Sequence, residues 1–296
     1  MKIAIIGAGA IGAWYAGNLL KAGHDIAVVA RGETLEAVRR RGLLVNSETP
    51  IPVPVFGHIS QVERPDVVIL AMKSTGQPME DILAGLDPNS LVATTQNSVE
   101  APLRVAQVVG KERTLPGVVR GYFHHVGPGA VEFHGGPCSY DFGTWDGAEN
   151  LLVDELATVL QSAGIDATVR DDIFVDVWEK AMFVTTTGAL GAATGHALGA
   201  LRSEPWRGTL EAMMHEVAEA GRGVGVPLSG NVVQRTLAFG DAMPAESTTS
   251  MQRDIAAGIP GELDAQIGAI TREGRRGGVA TPLCDLVFHL LEEKFR

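Results

Sequence analysis

The first residues suited to chemistry are the glycines of a short run near the start of the chain, GAGAIG at positions 7–12. The run follows the apolar stretch Lys2–Ile6, which predicts a buried strand, and precedes residues typical of a helix. Glycines at this spacing between a strand and a helix allow a tight turn and let the backbone approach a pyrophosphate. At the helix N-terminus, the residues we expect to bind a dinucleotide are Gly7, Gly9, Ala10, Ile11 and Gly12.

Two other interpretations of this region compete with dinucleotide binding. A glycine-rich turn need not hold a ligand, and Met1-Lys2 followed by an apolar stretch to Leu20 superficially resembles a signal peptide. Residues Asp25–Ala30 favour the dinucleotide site, because they predict a second strand at the distance expected for a βαβ unit.

The residue after the second predicted strand bears on which dinucleotide binds. NAD sites usually have Asp or Glu there to accept a hydrogen bond from the ribose 2′-hydroxyl, whereas this chain has Ala30 followed by Arg31. A guanidinium suits a 2′-phosphate, so Arg31 predicts NADP as the cofactor. In the alternative interpretation Arg31 is an exposed loop charge and Glu33 binds the ribose.

Two further polar residues follow predicted strands of the same sheet. Lys73 comes after Asp66–Ala71, and Asn97 comes after Ser90–Thr94. Each has a plain alternative role, as a solvated charge for Lys73 and as a turn residue before a helix for Asn97. Because ligands of open α/β sheets bind outside the carboxyl ends of the strands, we expect both residues at one binding site with the glycine run.

The second half of the chain offers three more candidates. Lys180 stands among small and apolar residues of a predicted helix, so it either extends to the surface or faces a ligand. Ser250 and Glu262 each lie at the start of a predicted helix. Their alternative roles are to cap the helix and to stabilise its dipole.

Composition excludes several classes of function. The chain has 296 residues and a net charge of −11, which argues against a nucleic-acid surface, and it has no apolar run of membrane-spanning length. Cys138 and Cys284 lack CxxC spacing and are typical of reduced thiols in a cytoplasmic protein, although a disulfide between them stays open. The histidines near position 130, with Glu132 beside them, have no recognisable metal-ligand spacing, so we expect no metal.

The elements that must position these residues fall into two patterns. Up to Val169, predicted strands alternate with helices, which indicates a mostly parallel sheet covered on both faces. Arg113–Val119 predicts one further strand, Ile51–Phe56 an edge strand because of its prolines, and Gly121–Gly143 antiparallel hairpins added to the sheet.

From Arg170 onward the pattern is helical throughout. Six segments show apolar spacing near 3.6 residues, separated by Gly and Pro breaks. We place the boundary near 168–172 and predict an N-terminal Rossmann-like, NADP-binding α/β domain, 1–169, and an all-helical domain for substrate binding and catalysis, 170–296.

Taken in order, the motifs resemble those of the ketopantoate reductase (2-dehydropantoate 2-reductase) family. They are GAGAIG at 7–12, Arg31, AMKS around Lys73, TQNSVE around Asn97, VWEK ending at Lys180, and the spaced pair Ser250 and Glu262. The resemblance spans essentially the whole chain. It implies a C-terminal domain like that of 6-phosphogluconate dehydrogenase and a role in pantothenate biosynthesis.

The resemblance also implies roles for individual residues. NADPH would reduce a 2-oxo acid, with Lys180 as general acid and with Glu262 and Ser250 in contact with the substrate. Asn97 would contact cofactor and substrate, and Arg31 and Lys73 would bind the cofactor. The small 2-oxo acid is the expected partner, and a homodimer is compatible with the sequence.

The chain departs from the family pattern on the helix of Lys180. The family usually has asparagines four and eight residues after the lysine, where this chain has Val184 and Gly188. Thr187 is near the same face and is expected to supply one hydroxyl to the substrate. We therefore expect a wider, less polar pocket. The alternatives are a D-2-hydroxyacid dehydrogenase for bulkier branched or aromatic acids, and an NADP-binding sensor without catalysis.

Overall fold

Two units make up the fold in the computed structural model, which describes residues 1–47 and 49–296. The first unit contains Met1–Lys73, Gln77–Gln96 and Ala101–Ile173. The second contains Phe174–Arg296 together with two short segments from the first half of the chain, Ser74–Gly76 and Asn97–Glu100.

The strands of the described residues lie between Lys2 and Val169. They are β1 (Lys2–Ile6), β2 (Asp25–Val29), β3 (Leu44–Val45), β4 (Val55–Phe56), β5 (Val67–Leu70), β6 (Leu91–Thr94), β7 (Thr114–Leu115), β8 (Gly117–Gly127), β9 (Ala130–Phe142) and β10 (Asp166–Val169). The helices of the first unit are α1 (Ala10–Lys21), α2 (Gly32–Arg41), α3 (Met79–Ile82), α4 (Ala101–Val109) and α5 (Leu151–Ser162).

Six strands form a parallel sheet in the order β4-β2-β1-β5-β6-β7. The chain builds outward from β1 to β4 and then resumes on the other side of β1 with β5, so the strand order reverses between β1 and β5. Such a switch point is where open α/β sheets bind ligands, at the carboxyl ends of the strands. The glycine run follows β1 directly at this edge.

Burial on both faces explains why the strands of this sheet have continuous apolar sequences. Ile3 and Ile5 pack into one core cluster with side chains of α1 and α5, whereas Ala4 and Ile6 pack into another with side chains of α4. Alternate residues of a strand point to opposite faces, so both sets must be apolar when helices cover both sides. The predicted parallel strands are confirmed on this basis.

The hairpin region forms a second, four-stranded sheet, which corrects the expectation that it extends the first. β8 and β9 pair antiparallel, and the 13-residue β9 is long enough to pair also with β3 at one end and with β10 at the other. The predicted strand Arg113–Val119 is divided at Pro116 between the two sheets, because proline has no N–H to continue a ladder.

Helices make up the long segment of the second unit. They are α6 (Ile173–Thr194, whose first residue belongs to the first unit), α7 (Leu198–Leu201), α8 (Trp206–Gly223), α9 (Val232–Ala242), α10 (Ser250–Ala256), α11 (Ala269–Arg276) and α12 (Pro282–Glu292). α8 packs against α9, α11 and α12. Glu262, expected at the start of a helix, is followed by the π-helical segment Asp264–Gly268, and α11 begins only after that segment.

Candidate active site

Two glycines of the GAGAIG run are required by close packing within the first unit. Gly7 has φ +101°, and a Cβ added there would lie 2.7 Å from the backbone nitrogen of Met72, just beyond β5. A Cβ on Gly12 would lie 1.8 Å from the carbonyl oxygen of Gly7. A larger residue at Gly7 would clash with the backbone of Met72, and one at Gly12 would clash with the carbonyl of Gly7.

Gly9 differs from these two because nothing in the structure fills the place of its missing side chain. A Cβ on Gly9 would have no described atom within 4 Å, and Gly9 precedes α1 with no side chain capping the helix. The first N–H groups of a helix have no partner within the helix and carry partial positive charge. This open backbone N-terminus, reached without steric obstruction, fits the pyrophosphate of a dinucleotide.

Arg31 and Lys73 follow the strands that flank β1 on its two sides. Arg31 lies two residues after β2 and immediately precedes α2, and its side chain is exposed. Lys73 lies three residues after β5 and is also exposed. Both cations are therefore connected to the same edge of the sheet as the glycine run, while Glu33 lies in the first turn of α2.

Lys180 and Asn97 are brought together in the second unit. Lys180 is half-buried in α6, and its Nζ donates a hydrogen bond to Asn97 Oδ1 at 2.6 Å. Asn97 belongs to this unit through the segment Asn97–Glu100, which follows β6 by three residues. The amide oxygen therefore fixes the position of the ammonium group, and the alternative of a lysine that merely extends to solvent is wrong.

The carboxylate of Glu262 is held in place by a hydrogen bond from a backbone N–H group. The residue is buried, at 7% exposure, and its Oε1 accepts a hydrogen bond from the backbone N–H of Ser74 at 2.9 Å. Ser74 follows Lys73 in sequence and clusters with the second unit. The carbonyl of Glu262 accepts from the N–H of Gln266, which ties its backbone to the π-helical segment Asp264–Gly268.

Ser250 does not cap its helix, which corrects the alternative considered for it. Thr249 is the capping residue of α10, and its hydroxyl accepts a hydrogen bond from the N–H of Gln252 at 3.2 Å. Ser250 is the first helical residue and is half-buried. Thr187, on α6, is buried and donates its own hydroxyl hydrogen to the carbonyl of Phe183 at 2.5 Å, so this hydroxyl keeps only an acceptor role toward other groups.

A small pocket of the second unit includes Thr187. It is lined by Phe183, Thr187, Leu198, Leu201, Met243, Ser247, Thr248, Thr249 and Gln252. Apolar side chains from α6, α7 and Met243 form one part of the lining, and hydroxyl groups before α10 form another.

The expectation that Gly188 widens a pocket is wrong. A Cβ on Gly188 would lie 2.5 Å from Thr249 Oγ1 and 3.0 Å from Met251 Cε, so residues of α10 already occupy that space. Val184, four residues after Lys180, is half-buried. The missing side chain at Gly188 thus permits close packing of two helices instead of enlarging a cavity.

Comparison with known proteins agrees with these features. The family model described as Ketopantoate reductase PanE/ApbA matches residues 3–147, and that described as Ketopantoate reductase PanE/ApbA C terminal matches residues 172–295. A 2-dehydropantoate 2-reductase of Mesorhizobium japonicum is 31% identical over 98% of this chain and 97% of its own length. The chain belongs to the ketopantoate reductase family. It is therefore a member of a family of oxidoreductases that act on CH–OH groups, and the resemblance drawn from its motifs is confirmed.

Solved structures share the architecture. The crystal structure of 2-dehydropantoate 2-reductase from Methylococcus capsulatus matches with a TM-score of 0.89 and 26% identity, over 99% of this chain and 96% of that chain. The ternary structure of D-mandelate dehydrogenase with NADH and anilino(oxo)acetate matches with a TM-score of 0.88 and 24% identity, over 100% and 98% of the two chains, and shares the fold. The predicted fold class, a parallel α/β unit followed by a helical one, is confirmed.

Three residues of this ketopantoate reductase family member were missed by sequence reasoning. Ser74 donates to Glu262, and Glu100 forms a double hydrogen bond with Arg272, with both N–O distances at 2.9 Å. Glu100 is the last residue of the TQNSVE motif, and this position is the one feature of the sequence that could have marked it as a site residue. Ser74 contributes only its backbone, and Arg272 resembles any charged residue on a helix.

The structure shows the surroundings of the histidines considered for metal binding and of the two cysteines considered for a disulfide. Within residues 1–47 and 49–296, no cluster of three or more His, Cys, Asp or Glu side chains could hold a metal ion. Both cysteines are free thiols, and Cys138 accepts a hydrogen bond from Trp14 Nε1 at 3.3 Å. Burial raises the pKa of Cys138 and of Cys284. In the same part of the chain, no helix combines the length and the apolar character needed to cross a membrane.

Proposed function

We propose that this chain reduces a 2-oxo acid to the 2-hydroxy acid with NADPH, acting as a 2-dehydropantoate 2-reductase. The observation that carries the proposal is the hydrogen bond from Lys180 Nζ to Asn97 Oδ1, because it fixes a proton donor in the unit assigned to the substrate. The family membership and the full-length similarity to 2-dehydropantoate 2-reductases support the reaction class. In this proposal 1–169 bind the cofactor and 170–296 carry substrate binding and catalysis.

The residues proposed to hold the cofactor surround the switch point of the parallel sheet. The N-terminus of α1 binds the pyrophosphate through the backbone of Gly7, Gly9, Ala10, Ile11 and Gly12. The guanidinium of Arg31 binds the 2′-phosphate and gives the preference for NADP, and Lys73 adds a second cation. Asn97 contacts the cofactor as well as the substrate. When bound, the nicotinamide ring supplies a hydride.

Lys180 is the proposed general acid. As the carbonyl carbon of the acid is reduced, negative charge develops on the carbonyl oxygen, and the ammonium of Lys180 stabilises this charge and gives up a proton to form the hydroxyl. An ammonium has three N–H donors, so the bond to Asn97 is compatible with donation to a substrate oxygen. The amine then regains its proton from water.

Glu262, Ser250 and Thr187 are the proposed substrate contacts. Glu262 is fixed by the N–H of Ser74, which keeps its carboxylate in one orientation inside the second unit. Ser250 begins α10, whose capping residue packs against α6 at Gly188. Thr187 accepts a hydrogen bond from the substrate, because its own hydrogen is donated to Phe183.

A second candidate substrate class is a 2-oxo acid with a bulkier, apolar side chain. The observation that favours it is the less polar face of α6, where Val184 and Gly188 stand in place of the two asparagines usual in the family. A sensor that binds NADP without catalysis is disfavoured by the ordered Lys180–Asn97 pair.

The test is the consumption of NADPH, followed by its absorbance, with purified protein and a panel of 2-oxo acids. Fastest turnover of 2-dehydropantoate supports the first assignment, and a preference for branched or aromatic acids supports the second. Tight NADPH binding with turnover of none of the acids would overturn the proposed reductase activity. Repeating the best reaction with NADH tests the cofactor preference.

A further inference from the structure

Arg272 forms a bidentate ion pair with a residue from a distant part of the sequence. Its Nε and Nη2 donate to Oε1 and Oε2 of Glu100, each at 2.9 Å, in the parallel geometry that makes arginine–carboxylate pairs strong. Glu100 is buried, with 9% of its surface exposed. Truncation of Arg272 would therefore leave a buried carboxylate without this partner, which is costly.

The same guanidinium also holds the start of the π-helical segment. Its Nη1 donates to Asp264 Oδ1 at 2.6 Å and its Nη2 donates to the backbone carbonyl of Asp264 at 3.1 Å. A Cβ on Gly268 would lie 2.8 Å from Asp264 Oδ1 and 3.2 Å from Arg272 Nη1, so the glycine leaves room for this pair. π-Helical turns frequently occur at functional sites.

These two sets of bonds join the segments that carry two proposed site residues. Asn97, which binds Lys180, lies three residues before Glu100 on one short segment. Glu262 lies two residues before Asp264. Arg272 is thus the common partner of both segments within the second unit. The hydrogen bond that Glu100 accepts, and after it the one that Asp264 accepts, raises the pKa of Arg272.

We propose that Arg272 is a positioning residue, which fixes Asn97 and Glu262 in register so that Lys180 and the substrate meet in the productive geometry. This inference rests on the proposed function. A displacement of about 1 Å at a catalytic group can lower the rate by roughly 10²-fold, so loss of the guanidinium fork acts on kcat. Most of the residues assigned to NADPH lie in the first unit, and Asn97 is the one assigned cofactor contact in the second, so the Kd for NADPH is expected to change far less than kcat.

A second bidentate arginine–carboxylate pair elsewhere provides a control. Arg207 donates to Asp241 through Nη1 at 2.6 Å and Nη2 at 2.8 Å, and joins α8 to α9. Neither residue has been assigned to the site. Arg207→Lys therefore removes a bidentate pair at a more exposed carboxylate, and preserves the charge in the same way as Arg272→Lys.

The experiment compares Arg272→Lys, Glu100→Gln, the double variant and Arg207→Lys. We expect Arg272→Lys and Glu100→Gln each to lower kcat about tenfold or more, with a much smaller change in the Kd for NADPH. The double variant should lose little beyond Arg272→Lys, because that variant already removes the paired hydrogen bonds to Glu100. Arg207→Lys should keep kcat within about twofold of the wild type. Equal kcat values for Arg272→Lys and Arg207→Lys would overturn the positioning role.

Hydrogen exchange gives a second readout that needs no substrate. In Arg272→Lys, peptides covering 74–76 and 97–100 should exchange faster than in the wild type, whereas Arg207→Lys should leave them unchanged. Unchanged exchange in Arg272→Lys would overturn the inference even if kcat fell. Failure of the proposed function has a different signature, because the wild type itself would then consume no NADPH with any 2-oxo acid.

Discussion

The hydroxyl of Thr249 occupies the space that a side chain at Gly188 would need, since a Cβ there would lie 2.5 Å from Thr249 Oγ1. Thr249 caps α10, and the next residue is Ser250, a proposed substrate contact. The small residue on α6 therefore sets how closely α10 approaches it.

Gly188→Ala is expected to destabilise the protein because it overpacks this helix contact. The cost is expected to be about 1–3 kcal/mol in the free energy of unfolding, as for other insertions into packed interiors. Gly208→Ala on α8 is the matched control, since a Cβ there has no described atom within 4 Å, and it should be neutral or stabilising by about 0.5–1 kcal/mol. Urea denaturation measures the free energy of unfolding of both variants. Equal stability of the two variants would contradict the prediction, because it would show that Thr249 moves aside without loss of stability.

Gly9 and Gly12 are expected to respond differently to the same substitution. Gly12→Ala would bring a Cβ to within 1.8 Å of Gly7 O and should lower stability, whereas Gly9→Ala has open space and should fold normally. Because the open space at Gly9 is assigned to the pyrophosphate, Gly9→Ala should still weaken NADPH binding by about tenfold or more. Thermal unfolding and NADPH fluorescence titration together check this. Unchanged NADPH affinity in Gly9→Ala would remove the loop from the cofactor site.

Arg31→Ala is expected to weaken NADPH binding far more than NADH binding. A hydrogen bond to a charged group contributes about 1.5–3 kcal/mol, which corresponds to roughly 10- to 100-fold in Kd for the nucleotide with the 2′-phosphate. Arg39→Ala controls for the loss of one positive charge. Arg39 lies in the last turn of α2, the helix that follows Arg31, and pairs with Glu36. Equal weakening of NADPH and NADH by Arg31→Ala would contradict the 2′-phosphate contact.

Most of the parallel sheet could be predicted because its strands are buried on both faces. Runs such as Lys2–Ile6 and Val67–Leu70 must be apolar at every position, which distinguishes them from their surroundings. The second sheet could not be assigned, because its pairing depends on where the long strand β9 meets β3 and β10. β3 lies far before β9 in the sequence, and α5 intervenes between β9 and β10.

The sequence indicated which residues form the site but not which of them bind one another. Sequence position identified Lys180 and Asn97 separately, but an 83-residue separation gave no reason to pair them. The packing at Gly188 was misjudged, since a missing side chain looks the same in sequence whether space is left open or filled by Thr249. Arg272 was missed because charged residues on a helix surface are common.

The most direct test of the account is the turnover number of Lys180→Met, which keeps the aliphatic stem and removes the ammonium that contacts Asn97. Lys294→Met is the control for the loss of an ammonium group. Lys294 lies near the C-terminus of the chain and donates to the backbone carbonyl of Ala192. The account predicts that Lys180→Met lowers kcat for the best 2-oxo acid by about 10²-fold or more, while the Kd for NADPH and the kcat of the control stay at wild-type values. Near-normal kcat in Lys180→Met would contradict it.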